Sequence, residues 1–385
     1  MKIDSSIINC ALRAAEHPQL LETAEQLRQA SAEWRTDQPL GIDTEFLRER
    51  TYRAELGLVQ VSDGKIAWLV DTIAIHDLAP LQAMLSDPRV LKILHSTSED
   101  LEVLQHTLGV TPLPMVDTQI ACALLGQPLQ MSYTHAVRWM TGIEVDKEQT
   151  RSNWTRRPLK PEQLHYAATD VVFLPAMYVQ LRKALDKLGR WTWLEEDVER
   201  MAANSRQEID TAQAYLRLNG GKHLDLQSLH VLKGLAAWRE ETAMQKNLAR
   251  GFVLPDAALL ELAGKKPRSR GALLEINGIH PKAAQRYQRE ILNVIKTSSG
   301  RSDPIEQLQP LDGGQRDLLN KMRKLVQNEA ETLNLDPAVL ASRKQLESLI
   351  LALCSGAPLP QRMTGWRKPV ISQKLQELAA ASDCG

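Results

Sequence analysis

The sequence predicts an α/β domain, a mixed sheet flanked by helices, followed by two all-α domains. Three observations carry this reading. Strand and helix signals alternate through the first 190 residues, strand signals vanish from about residue 195, and "TSSGRSDP" divides the helical remainder. Three strands in a meander, then alternating helix and strand, is the pattern of a mixed sheet with helices against it.

Taken in order, "PLGIDTEF", "LGLVQVSD" and "KIAWLVDT" read as successive strands, with Asp63-Gly64 making a tight hairpin between the last two. "VLKILHS" is a fourth strand and "PMVDT" a short fifth. Helices are expected over 77–86, 97–108, 118–125, 132–141 and 161–187. Ser96 and Glu99 have the spacing of a capping box, which starts a helix just after the fourth strand. Pro161 suits a first helical position. "WLEEDVERMAANSRQE" reads as a polar helix that links the halves. The expected organisation is an α/β domain over 1–194, a helical linker over 195–221, and helical domains over 222–302 and 308–385. The helical blocks echo each other: "EETAMQKNLARGFVLPDAALLELA" and "NEAETLNLDPAVLASRKQLESLI" share a Glu-rich helix, a break, Asp near Pro, and a Leu/Ala helix.

With 385 residues, each domain has enough chain for its own core. The 43% hydrophobic and 24% charged content is that of a soluble globular protein. The N-terminal stretch lacks the apolar run of a signal peptide, and no run approaches the roughly 20 residues that span a bilayer. Cys10, Cys122, Cys354 and Cys384 have no paired spacing, so neither a zinc site nor a disulfide framework is expected. The expectation is a reduced, cytoplasmic, monomeric protein with no membrane partner. Its zero net charge conceals a split. Residues 1–210 carry 22 Lys and Arg against 30 Asp and Glu, and residues 211–385 carry 25 against 17. An acidic front and a basic back suit an enzyme joined to a module for a polyanion.

Asp43 and Glu45 end the first strand two residues apart, on one face. Like charges about 4 Å apart repel by roughly 4 kcal/mol in a partly shielded site, a cost a fold tolerates if a cation sits between them. Asp100 falls in the first turn of the helix after the fourth strand, where a helix-dipole role is the plain alternative. Asp170 has two possible partners on its helix. Tyr166 lies four residues back, a turn of about 400° that leaves about 40° between the side chains, whereas His165 lies about 140° away. Four carboxylates and a phenol, without nearby Cys or His ligands, favour Mg²⁺ or Mn²⁺. Two such ions can hold the attacking and leaving oxygens of a phosphodiester in line.

Two basic clusters contain no acid: Arg151, Arg156, Arg157 and Lys160, and Lys265, Lys266, Arg268 and Arg270. Each is a candidate phosphate contact whose affinity falls with salt, or else a solvated face. Trp154 is a candidate base-stacking platform or a packing residue. His95 reads as a satisfied buried histidine.

"DTEF", "HSTSEDLEVL", and "YAATD" preceded by "SNWTRRPL" resemble the three motifs of the ribonuclease D family, in the tyrosine subgroup of the DEDD exonuclease superfamily. "TYRAELGLVQ" and "MVDTQIA" resemble that family as well. The stretch from "LKGLAAWREETAMQKNLARGFVLPDAALLELA" through "INGIHPKAAQRY" is similar to an HRDC domain, and residues 308–380 look like a second, divergent copy. The resemblance implies a ribonuclease H-like α/β exonuclease domain followed by two HRDC-type domains. It implies that Asp43, Glu45, Asp100 and Asp170 ligate two divalent cations and that Tyr166 orients the attacking water. It also implies 3′→5′ hydrolysis of RNA to nucleoside 5′-monophosphates, with tRNA precursors and other small structured RNAs as substrates. A 3′→5′ DNA exonuclease and a non-catalytic RNA-binding scaffold remain alternatives, since nothing in the sequence reads a 2′-hydroxyl directly.

Overall fold

The strands β1 (Gln19–Leu21), β2 (Leu40–Leu47), β3 (Glu55–Ser62), β4 (Ala67–Asp71), β5 (Lys92–Leu94) and β6 (Met115–Asp117) form one mixed sheet in the order β1-β4-β3-β2-β5-β6. The computed structural model describes the chain apart from residues 1, 35, 146–148, 150, 151, 304, 306–310 and 383–385 and the side chain of Lys222. β2, β3 and β4 are the antiparallel meander, while β5 runs parallel beside β2 and β6 parallel beside β5. The β3–β4 hairpin closes because Asp63 Oδ1 accepts the N–H groups of Lys65 and Ile66, with Gly64 at φ 85°. The sequence reading left the first 34 residues unassigned. They form α1 (Ser5–Glu16), β1 and α2 (Ala24–Ser31), and β1, only three residues long, pairs parallel with β4.

The next helices are α3 (Ala79–Ser86), α4 (Ser98–Leu108), α5 (Thr118–Leu124) and α6 (Tyr133–Thr141). The expected Ser96–Glu99 capping box does not form. Ser96 sits at φ 62°, the N-cap is Thr97, and Asp117 from β6 accepts the N–H groups of Ser96 and Thr97 at 3.2 and 2.9 Å. A neighbouring strand thus satisfies donors that a local cap would otherwise take.

The expected 161–187 helix is two helices, α7 (Pro161–Val172) and α8 (Leu174–Lys187), joined at Phe173. Pro175 has no N–H to give the Val171 carbonyl, so the ladder is interrupted there. A Cβ on Gly41 would stand 2.5 Å from that same Val171 oxygen, so only glycine lets β2 lie this close beneath the corner. α7 packs on β2, β3 and β4, and α4 packs on β2 and β3. α9 (Trp191–Ser205) is more than a polar linker. It buries Trp191, Leu194, Val198 and Ala202 and packs on α4, α5 and β6.

By contact the chain forms two units. One is Arg48–Ala54 with Glu208–Pro310, and the other holds the remaining residues, Leu311–Gly385 included. The helices α10 (Leu226–Lys246), α11 (Arg250–Val253), α12 (Asp256–Lys265), α13 (Arg270–Leu274) and α14 (Pro281–Ser298) enclose a core that includes Leu232, Leu259, Leu262 and Ile291. Tyr52 belongs to that core, where its hydroxyl donates to Glu240, itself paired with Arg250 at 2.6 Å.

The last block comprises α15 (Gly313–Leu333), α16 (Pro337–Leu340), α17 (Arg343–Ser355) and α18 (Gln373–Ala380). Its first half repeats the skeleton of the preceding block. α10 and α15 are each 21 residues long, and each ends on an asparagine in the left-handed region, Asn247 and Asn334. A four-residue helix follows in both cases, α11 and α16, before a longer one. In this block Arg367, fully buried, gives both terminal nitrogens to Asp197 of α9 at 2.6 and 2.9 Å, and Trp366 stacks on Trp193 with centroids 4.2 Å apart.

Candidate active site

Side chains alternate along β2, so Gly41, Asp43 and Glu45 face α7 while Thr44 faces the opposite side. Asp170 projects from α7 toward the strand. One carboxylate oxygen from each of Asp43, Glu45 and Asp170 lies within 4.8 Å of the others. One helical turn before Asp170, the Tyr166 hydroxyl donates to its carboxylate. His165 turns away to α1, where Nδ1 lies 3.1 Å from the Ala15 carbonyl oxygen. The continuous helix from Pro161 therefore puts the two side chains where the 3.6-residue turn predicts. On the opposite face of β2 the Thr44 hydroxyl donates to Asp100, which is buried in the first turn of α4. Immediately after Glu45 the β2–β3 register slips: Glu45 pairs with Leu58 and Phe46 with Leu56, leaving Gly57 as a bulge.

Burial pushes all four carboxyls above their ordinary range. Asp170 adds its charge at Asp43, Asp43 adds at Glu45 and Asp100, and the values rise further. Asp170 is pushed up to about 7 by burial, with the Tyr166 hydrogen bond acting against the rise. Among the described residues no lysine or arginine pairs with any of the four. Gln60 sits directly opposite Asp43 across the ladder, fully buried, with neither carboxamide atom hydrogen-bonded. Uncompensated negative charge in a half-buried, oxygen-only donor set fits a hard divalent cation.

The remaining candidates separate. Trp154 is only 1% exposed and packs 6.0 Å from the Tyr166 ring, so it presents no face on which a base can stack. Its backbone instead closes over the bulge, since a Cβ on Gly57 would stand 2.4 Å from the Trp154 carbonyl oxygen. Arg157 is also spent inside the fold: it pairs with buried Asp71 and donates to the carbonyls of Trp154, Arg156 and Gly57. Base stacking by Trp154 and phosphate contact by Arg157, both expected from sequence, give way to support of the bulge and of Asp71. Arg156 and Lys160 are exposed, and Arg151 lies outside the described residues. In the other unit Lys265 pairs with Glu261 at 2.6 Å, Lys266 lies 3.9 Å from Asp225, and Arg268 and Arg270 are exposed. His95 is satisfied on both nitrogens, by Thr118 Oγ1 at 2.8 Å and the Met131 carbonyl at 2.9 Å. The sequence reading missed Tyr133, at the start of α6, whose hydroxyl donates to the Thr169 carbonyl at 2.8 Å beside Asp170. An aromatic at a helix start reads as core, and no local signal separates it.

A mixed sheet that brings three acids together, with a tyrosine bonded to one of them, defines an oxygen-donor site of the kind that holds a hard cation, here followed by helical modules. Residues 18–186 match the 3′-5′ exonuclease family, 228–295 the HRDC domain, and 314–375 the C-terminal HRDC domain of ribonuclease D. The chain is 38% identical to ribonuclease D of Pseudomonas paraeruginosa, covering 91% of this chain and 94% of that one, and 35% identical to ribonuclease D of a Shewanella species over 90% of each. The crystal structure of Escherichia coli RNase D, described as an exoribonuclease involved in structured RNA processing, superposes with a TM-score of 0.88 at 29% identity. That match covers 95% of this chain and 99% of that one. The chain belongs to the ribonuclease D family, and is accordingly a metal-dependent 3′–5′ exoribonuclease.

Proposed function

We propose that this enzyme hydrolyses RNA with two divalent cations, Mg²⁺ or Mn²⁺, and releases nucleoside 5′-monophosphates from 3′ ends. Its substrates on this reading are tRNA precursors and other small structured RNAs, met as a cytoplasmic monomer. The observation that carries the reading is the convergence of Asp43, Glu45 and Asp170 within 4.8 Å, with Tyr166 bonded to Asp170. When bound, a pair of such cations stabilises both the attacking and the leaving oxygen of an in-line displacement. Asp43, Glu45 and Asp170 would hold them, and Asp100, oriented by the Thr44 hydroxyl, would complete the set from α4. Tyr166 would orient the attacking water and hold a proton at its hydroxyl. The basic residues Arg156, Lys160, Lys265, Lys266, Arg268 and Arg270 would contact phosphates.

The test uses 3′-extended RNA and DNA of one sequence, with Mg²⁺ and with chelator. Stepwise loss of 5′-monophosphates from RNA, abolished by chelation, is expected. Preference for DNA would support the alternative nuclease, and inertness toward both would support the scaffold. Tyr166→Phe should lower turnover by about 10²–10⁴-fold, the usual contribution of such a group, while His165→Ala leaves it near wild type. A more damaging His165→Ala, with folding preserved, would remove Tyr166 from the chemistry.

A further inference from the structure

The α7–α8 corner carries a polar contact that the hydrolytic roles above do not use. The last four carbonyls of a helix have no intrahelical partner, and in α7 these begin with Thr169, the residue before Asp170. The Tyr133 hydroxyl, from α6, donates to the Thr169 oxygen at 2.8 Å. The phenol thus takes up a carbonyl that the helix itself leaves at its end. Its ring is held from the side by His95, edge to face at 5.7 Å, and both His95 nitrogens are tied down.

We propose that Tyr133 is a positioning residue: by holding the Thr169 carbonyl at the frayed end of α7, it fixes where Asp170 presents its carboxylate to the cation. This rests on the metal-holding role assigned to Asp170 above. The Thr169 hydroxyl cannot substitute for it, because that group is turned back along the helix to the His165 carbonyl at 2.7 Å. Without the phenol, the carbonyl beside Asp170 would lose its cross-helix anchor and the carboxylate would sit on a fraying helix end.

The experiment is a Mn²⁺ titration of the melting temperature of the full chain, without RNA, for wild type, Tyr133→Phe, Thr169→Ala and Asp170→Asn. Tyr133→Phe removes one oxygen and keeps the ring. It is expected to need about 10- to 100-fold more Mn²⁺ for the wild-type stabilisation, as for other residues that orient metal ligands. Thr169→Ala should titrate like wild type, and Asp170→Asn should respond weakly at any concentration. At saturating Mn²⁺ the KM of Tyr133→Phe for a short RNA should match wild type. A wild-type titration in Tyr133→Phe overturns the proposal, as does an effect seen only in KM, which would make the residue a substrate contact. Equal weakening in Thr169→Ala would reduce it to general loosening of α7. No response to Mn²⁺ in wild type would instead overturn the metal reading of the site itself.

Discussion

Within one unit, acids are drawn out of water under two opposite regimes. Around Asp197 burial alone would raise the carboxyl, but Arg367 and Arg200 more than offset it, and Asp197 ends below its ordinary range. Every strong contact there is between opposite charges, at 2.6 to 2.9 Å. At Asp43, Glu45 and Asp100 burial raises the carboxyls and neighbouring acids raise them further, and at Asp170 burial outweighs the Tyr166 hydrogen bond, with no cation from the described chain. The first arrangement is complete as it stands and serves packing. The second is stable only because the fold enforces it, which is how a site for an external cation differs from a structural ion pair.

The largest expected effect comes from removing one charge of the unbalanced set. Asp43→Asn or Asp170→Asn should lower turnover on the order of 10³-fold or more, the several kcal/mol such ions supply. Metal-free melting temperature should nevertheless hold or rise, because a repulsion has been removed. The pH dependence follows the same logic. Asp170 goes from 3.8 when unfolded to about 7 when folded, so between these values the folded state holds a proton that the unfolded chain releases. That stability is present at the acid end and lost as pH rises through about 7, at about 1.4 kcal/mol for each unit of displacement. Metal-free wild type should therefore melt higher at pH 5 than at pH 8, and Asp170→Asn should reduce the difference, with Asp43, Glu45 and Asp100 supplying what remains. A mutant less stable than wild type at pH 8 would mean that the acids are not in net repulsion.

Next in size is the balanced pair. Arg367→Met leaves Asp197 with Arg200 as its remaining cation and the Trp366 indole N–H as a further donor, and the loss should approach the roughly 3–5 kcal/mol of a broken buried ion pair. Adding Asp197→Leu should restore much of it. Urea denaturation of the single and double variants measures both. If the double variant is no more stable than Arg367→Met, the pair is not an isolated electrostatic unit.

The two regimes also differ in how far they could be read from sequence. Asp43 and Glu45 were legible because a strand alternates with period two, and Tyr166 over His165 because an uninterrupted helix turns by a fixed angle. Both are local rules. Arg367 with Asp197, 170 positions apart, follows no local rule. The same is true of Lys92, fully buried on β5, whose Nζ donates to the carbonyls of Asp87, Val90 and Leu113. The cap of α4 came from Asp117 on another strand, and the break at Phe173 came from Pro175 together with a glycine 134 positions earlier on β2. The repeated helical skeleton was only faintly visible, because what repeats is a helix length and an asparagine in the left-handed region rather than a string of residues.

The smallest effect, and the sharpest contrast, lies between adjacent residues. Arg157 is a structural ion pair in miniature, bonded to Asp71, whose side chain is fully buried; Arg156 beside it is exposed. A basic run in sequence therefore contains both regimes. Arg157→Gln should lower the melting temperature markedly, since Asp71 loses its cation and the Gly57 bulge loses a donor. Arg156→Gln combined with Lys160→Gln should leave melting unchanged. If those two side chains touch the phosphates of single-stranded RNA, the plot of log affinity against log salt should become shallower by about 0.7 for each phosphate no longer neutralised. The double substitution would then show as a few-fold weaker binding at low salt that disappears at high salt. Measuring binding of a short RNA at several salt concentrations, in chelator so that nothing is cleaved, separates this from catalysis. An unchanged slope would make Arg156 and Lys160 a solvated face, and would leave the approach of RNA to the acids to cations elsewhere in the chain.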